Sequence, residues 1–521
     1  MSQMPLPSSQ EPSPSRLRLG RLWTLSFVAF GLLYLLTCQR GVSWQDSGRF
    51  QWRVLTGQYH DDLGLALSHP LYIAAGRAFT SLPVGSFPAR LNFFSGLGMA
   101  VALANFTVLV TLLTRKGWIG LAGASMLAVC HVVWWLSTAA EVYTWSVAGL
   151  TGELWLLALL FRRPAIHWLV GLALVNGLGW GIHNFAILPL PVYAAVAVAM
   201  VIRRRLPGWS LAAAAGAYLV GAAPYLAIII QQAASSGDVL GAIRSALVGN
   251  YAAAVLNTHL TWQNMRVSGV LASMNFVSLL LPLAIVGWLN LRRRLGGGLA
   301  GAIGAVTLVE VIFVARYPVP DQFTFLLPSL TMCALAAAVG VATLAERSPR
   351  MRGAAIVACA VSILLPPAFY AVSPILVSRY YGAVHRQREL PFRDEASYWL
   401  VPWKHNEKSA AMFARAALVE AEPRGIIMAD GTSANPLRVL QKLEGLSPGV
   451  TVQDSSGPLP AVMGDGTTFR AAAGDRPVYA VTTAPGYMPA AFLDATRFER
   501  PFQAVLYRAQ WTGPAESRPK P

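Results

Sequence analysis

The residues able to do chemistry are few, and they recur in alternate gaps between long apolar segments. Ser43-Trp44-Gln45-Asp46-Ser47-Gly48-Arg49-Phe50 offers a carboxylate soon after the first apolar run. Asp61-Asp62, His69-Pro70-Leu71-Tyr72 and Arg90-Leu91-Asn92 follow, then Ala139-Ala140-Glu141-Val142-Tyr143, His183-Asn184 and Arg316-Tyr317-Pro318-Val319-Pro320-Asp321. One reaction suits this set. Transfer of a glycosyl group from a lipid phosphate needs a base for the acceptor hydroxyl and cations for the departing phosphate. One carboxylate can be the base, and Arg or His side chains can stabilise the developing phosphate charge. The leaving group is already good, so a glycosidase's second carboxylic acid is not required. Nor is a metal, and no cofactor is expected.

Each residue also has a plainer reading. Asp46 suits a helix N-cap, where Asp is preferred and meets the positive helix end. Asp61-Asp62 can bind a divalent cation, but adjacent acids before a Leu-Gly turn are usually solvated. His69 stands at a helix start and can simply cap it. Arg90 can snorkel from the end of a span. Glu141, at an apolar span end, is costly without a partner; Arg90 or Arg316 would make it a structural ion pair. His183 can serve the turn it sits in. Arg316 and Asp321 lie in a loop that breaks the charge pattern of the other gaps.

That pattern fixes the elements that must position these groups. Basic clusters, Arg16/Arg18/Arg21, Arg115-Lys116, Arg162-Arg163, Arg203-Arg204-Arg205, Arg292-Arg293-Arg294 and Arg347/Arg350/Arg352, occupy nearly every second gap. By the positive-inside rule those gaps are cytoplasmic, and the acid- and His-bearing gaps share the opposite face. The chain has 521 residues, 55% hydrophobic and 12% charged, about half the charge of a soluble protein. It reads as a polytopic α-helical membrane protein. The net charge of +17 is spread over short loops and is topogenic, which argues against nucleic acid as a partner. Four cysteines, Cys38, Cys130, Cys333 and Cys359, lie in apolar segments without CxxC spacing, as small core residues.

With about 20 residues per span, spans are expected near 22–39, 92–114, 118–136, 142–161, 166–182, 184–202, 210–230, 268–290, 296–314, 323–343 and 353–373. The run 22–38 reads as an uncleaved first span, and residues 1–21 as a disordered cytoplasmic N-terminus. The pair meeting at Gly181-Ile182-His183-Asn184 can also be one broken hairpin. Residues 22–373 form the transmembrane domain, with 40–91 as a long outer loop. In that loop a helix from Gly48 to Gln58 mixes Phe50, Trp52, Val54 and Leu55 with Arg49 and Arg53, which suits the membrane interface. A second helix starts at Pro70. Another long loop, 231–267, holds Tyr251, His259, Trp262 and Arg266. Residues 374–521 read as a small extracytoplasmic α/β domain, with strands at Gly425–Ala429, Val450–Val452, Val478–Thr482 and Gln503–Arg508 and a helix over Asn435–Glu444 ending at Gly445.

The ordered set of motifs resembles the GT-C superfamily of integral membrane glycosyltransferases. It most resembles the branch of transmembrane protein O-mannosyltransferases that modify immunoglobulin-like plexin/transcription-factor domains, which has many bacterial members. The resemblance rests on Trp44 to Gly48; His69 to Tyr72 with Arg90-Leu91-Asn92 and Ser95; Trp134-Trp135 through Glu141-Val142-Tyr143 to Gly181-Ile182-His183; and Asp430, Asn435-Pro436-Leu437 and Glu444 to Val450. It implies a GT-C-like fold of about 11 spans, a polyprenyl- or dolichyl-phosphate sugar donor such as mannose, and inverting transfer to a protein or glycan hydroxyl. The family's catalytic acid maps to Asp46. Arg90, Arg316 and His183 would hold the phosphate, with His69, Glu141 and Asp321 binding substrate. The chain departs from the family in having only His-Pro-Leu-Tyr where a longer His-Pro-Pro-Gly-Tyr-Pro-Leu-Tyr is common, and in lacking a tetratricopeptide array. Ala/Arg/Gly-rich usage favours a bacterial plasma membrane; a eukaryotic protein would sit in the endoplasmic reticulum. The alternative is a transporter or flippase of lipid-linked saccharide, which would place charges nearer mid-membrane and often show repeats; no repeat is visible. A third reading, an assembly protein with an exported tail, makes the same charges mere topology.

Overall fold

The computed structural model describes residues 16–259, 269–319, 321–381, 388–455 and 466–512. The N-terminal stretch expected to be disordered lies, up to residue 15, outside them, as do Trp262 and Arg266. Among the described residues eight helices are long and apolar enough to cross a membrane: Leu17–Thr37, Phe87–Thr114, Tyr143–Arg162, Asn184–Ile202, Ser210–Ser236, Gly297–Arg316, Gln322–Ala345 and Pro349–Tyr380. A ninth crossing is a pair, Gly269–Phe276 and Leu280–Leu295, bent by 78°. Two expected spans are shorter apolar helices, Gly117–Ala128 and Ile166–Ile182. The first of these corrects the expected span 118–136. The helix breaks at Val129-Cys130 and restarts as His131–Leu136, which carries the chain toward Glu141. The second ends at His183, whose extended backbone separates it from the next span.

Glycine sets how closely some spans approach. A Cβ on Gly177 or Gly221 would strike Tyr218 O or Leu174 O of the facing helix, and one on Gly287 or Gly340 would strike Ala336 O or Leu283 O. Ile166–Ile182 against Ser210–Ser236, and Leu280–Leu295 against Leu327–Ala345, thus pack backbone to backbone, the small-residue route to helix association in lipid. Several basic gaps meet at one end of the bundle. Lys116 and Arg294 both pair with Glu346, at 3.2 and 2.6 Å, and Arg162 donates to Leu112 O. The acid- and His-bearing gaps converge at the other.

The C-terminal region carries a five-stranded mixed sheet: β1 (Ile426–Ala429), β2 (Thr451–Asp454), β3 (Val478–Ala480), β4 (Thr496–Glu499) and β5 (Tyr507–Trp511), in the order β2-β1-β3-β5-β4. β1 pairs in parallel with β2 and β3; β5 is antiparallel to β3 and β4. The expected helix is Ala434–Glu444, closed by Gly445 in the left-handed region. The last expected strand lies further along. Val505 and Leu506 give their N–H groups to Glu420 instead of a ladder, so the strand starts at Tyr507. β4 was not expected.

The outer loop joins this region's core. Val42 and Trp44 are buried with Phe413, Ala429 and Leu437; the Trp44 indole lies tilted against the Phe413 ring, centroids 5.2 Å apart, and donates to Ser409 Oγ at 2.8 Å. The helix Gln45–Thr56 lies between the C-terminal helix Ala434–Glu444 and the helix Pro70–Thr80. The apolar side chains that suggested a helix in the membrane interface are taken up by protein packing. Phe50 and Val54 are buried against Tyr72, Ile73 and Leu91, while Trp52 and Leu55 pack on the C-terminal core, so protein covers both apolar sides.

Candidate active site

The helix carrying Asp46 starts at Gln45, whose φ is 56° and whose N–H donates to Thr432 O at 3.1 Å. It ends at Gly57, in the left-handed conformation, where the glycine N–H meets Arg53 O. The N-cap is Trp44, without a side-chain cap. Asp46 is therefore inside the first turn, and the capping reading of it is wrong. Asp46, Arg49, Phe50 and Arg53 stand at i, i+3, i+4 and i+7, one face of the helix. That face forms part of a cavity of about 330 Å³, shared with His69, Glu141, Tyr143, His183, Tyr251, Arg316 and Tyr317.

Asp46 is exposed, but the surface it exposes is the cavity wall. Its carboxylate makes no hydrogen bond or ion pair with the described residues. Burial raises its proton affinity, Arg49 opposes this and Asp61 adds to it. Glu141 is buried and accepts from Ser47 Oγ at 2.5 Å; its backbone N–H donates to Ser95 Oγ at 2.7 Å. Burial, then the charges of Asp46 and Asp321, hold the Glu141 carboxyl well above the usual carboxylate range. The Asp321 carboxyl is pushed up to about 7, by burial first and then by Asp46. Three carboxyl groups thus sense one another across this site, and like charges in a shared low-dielectric space do not all ionise. The expected ion pair of Glu141 with Arg90 or Arg316 is not formed among the described residues.

The two histidines stack, ring centroids 5.2 Å apart at 11°. His69 Nδ1 lies 2.7 Å from Ile182 O and so donates to it, whereas His183 Nδ1 accepts from Phe185 N–H at 3.1 Å. Burial lowers both, His183 to about 3. Burial therefore favours the neutral form of both rings.

Of the residues expected to hold the phosphate, Arg316 and His183 line the cavity and Arg90 does not. Arg316 Nη1 donates to Val255 O and Asn257 O at 2.8 and 2.6 Å, and the guanidinium lies 5.6 Å from the Phe313 ring centre. Arg90 turns away and binds Val84 O and Gly85 O at 3.1 and 2.9 Å. A surface carbonyl pair near its own helix start is within reach, and the cavity is not. Sequence reasoning missed Arg49 and Arg53 as site residues; their helical spacing from Asp46 was the available signal. Asp61, read as solvated or metal-binding, is instead buried between them, 2.5 Å from Arg49 and 3.1 Å from Arg53. No group of three or more His, Cys, Asp or Glu among the described residues is placed to hold a metal.

Residues 66–206 match the family model described as the Protein O-mannosyl-transferase TMEM260 N-terminal domain, a span that takes in His69, Glu141 and His183 and begins after Asp46. No curated protein matches the chain. In fold the chain is similar to ArnT from Cupriavidus metallidurans. The structure bound to undecaprenyl phosphate aligns with a TM-score of 0.57 at 14% identity, over 93% of this chain and 98% of that one. The apo structure gives 0.55 at 16% identity, over 94% and 98%. This is a polytopic membrane protein of GT-C-like fold with a small C-terminal sheet region. The resemblance to the GT-C glycosyltransferases and their O-mannosyltransferase branch that the motifs carry is matched by these findings.

Proposed function

We propose that the protein is a membrane glycosyltransferase that moves a hexose, mannose or one like it, from a polyprenyl-phosphate donor to an acceptor hydroxyl at the face opposite the basic clusters. The observation that carries this is Asp46: a carboxylate without a partner among the described residues, on the wall of a cavity that also receives Arg49 and Arg316. Asp46 takes the acceptor proton as the acceptor oxygen bonds to the anomeric carbon. The bond from that carbon to the phosphate oxygen breaks, and the lipid phosphate leaves with the electron pair, so the anomeric centre inverts. Arg316 and Arg49 meet the growing charge on the phosphate. The neutral His69 and His183 rings and Tyr143 give the sugar flat faces and hydrogen-bonding edges. Asp321 does not line the cavity, so the sugar-binding role expected of it is given up; its charge still raises the proton affinity of Glu141. The two similarities support the reading: the matched family is one of protein O-mannosyltransferases, and one ArnT structure holds undecaprenyl phosphate. The test is transfer of radiolabelled hexose by purified protein in proteoliposomes, from a panel of polyprenyl-phosphate hexoses to a membrane-protein extract. The reading expects one donor to be used and Arg316→Gln to raise its KM; no transfer from any donor would overturn it.

A further inference from the structure

Glu141 faces two spaces. One is the substrate cavity; the other is a separate pocket of about 10 Å³ whose polar walls are Gln39, Ser43, Ser47, Glu141 and Lys404. That volume is about enough for one water, and the wall supplies the two to four polar partners such a water needs. Glu141 is the one acid among the residues lining this pocket, and Lys404 the one cation. Lys404 comes from the far end of the chain, in the segment joining the last span to the C-terminal sheet region. It is 3% exposed, and its Nζ donates to Tyr398 O and to Val401 O, the latter at 2.8 Å. The ammonium also lies 4.6 Å from the Tyr398 ring centre. Those two carbonyls occupy two of three N–H donors, and the third remains for the pocket. Glu407, the other nearby acid, is engaged by the N–H and hydroxyl of Ser409. The segment is pinned where it enters: Lys404 N–H donates to Thr37 O at 2.8 Å, and Thr138 Oγ1 to Pro402 O at 2.9 Å.

We propose that Lys404 is a positioning residue of the catalytic centre, holding Glu141 through the one-water pocket from the side opposite the substrate. The proposal rests on Asp46 being the base. Ser47, next to Asp46, donates to Glu141, so a Glu141 held in place fixes the first turn that presents Asp46. A buried carboxyl beside Asp46 and Asp321 keeps its proton; a donor on its far side, reached through the one-water pocket, fixes the direction in which it points. Burial draws Lys404 down to about 7, with Glu407 opposing and Arg393 adding to the shift.

The experiment uses the full-length protein in proteoliposomes, with Lys404→Met, Lys404→Arg, Glu141→Gln and the Lys404→Met/Glu141→Gln pair. Two readouts are taken: kcat and donor KM, and the melting temperature. Lys404→Met is expected to lower kcat about ten-fold with donor KM unchanged, with part of the loss recovered in Lys404→Arg. Its melting loss should be smaller in the Glu141→Gln background than in the wild type. Additive melting losses, or a kcat within about two-fold of wild type, overturn the proposal. If Lys404→Met does not fold, Lys404→Gln, which also removes the charge, takes its place in the cycle with Glu141→Gln. If the wild type transfers from no donor while the cycle still couples, the glycosyltransferase reading falls and the Lys404–Glu141 pairing stands.

Discussion

Asp46 and Asp321 set how the site should respond to pH. A base is lost when it takes up a proton, and Asp46 takes one up more readily than an ordinary Asp. The acid limb of kcat/KM should therefore lie above the usual carboxylate range near pH 4; a limb at that ordinary value would remove the shift from the account. Stability runs the other way. Asp321 binds its proton more tightly folded, at about 7 against about 4 for an ordinary Asp, so its contribution is full below the unfolded value and is lost as pH rises through the folded one. The wild type should lose more melting temperature between about pH 5 and pH 8 than Asp321→Asn does. Asp61 is structural. Asp61→Asn leaves the buried Arg53 and the half-buried Arg49 without their carboxylate, a loss of about 3–5 kcal/mol, seen as a lower melting temperature in detergent. Most of these residues were legible in the sequence because their gaps alternate with basic ones, which puts Asp46, His69, Glu141, His183, Arg316 and Asp321 on one face. Arg90 was misplaced because spacing does not say which way a long side chain turns at a helix end. Lys404 was invisible because the small pocket it lines with Glu141 brings together residues about half the chain apart.

The helix carrying Asp46 is held by its neighbours more than by its own caps. Trp44 is 1% exposed in the C-terminal core, and a Cβ on Gly48 would meet Ser43 O and crowd Pro436 and Asn435. Trp44→Ala should cost about 3–5 kcal/mol, and transfer should fall by more than the folded fraction does, because the first turn loses its anchor. Loss in step with the folded fraction would contradict this. Expected spans and observed helices coincide closely, since apolar length is a local property. The break at Val129-Cys130 was not legible because the composition stays apolar across it. Val505-Leu506 looked like strand for the same reason, although Glu420 takes their N–H groups.

At the scale of the whole molecule, two ends of opposite character define the account. Lys116, Arg162 and Arg294 gather at one end, and the candidate site with the C-terminal region over its outer loop forms the other. Single cysteines at exposed Arg205 and exposed Lys442 should react with an impermeant maleimide from opposite sides of sealed vesicles, the latter from the side of the active site. Labelling of both from one side would undo the assignment of faces. The most direct measurement of the central claim is transfer by Asp46→Asn beside the wild type, with donor binding measured on the same samples. The account predicts kcat lower by at least about a hundred-fold with donor affinity kept. Transfer at the wild-type rate by a folded Asp46→Asn would contradict it.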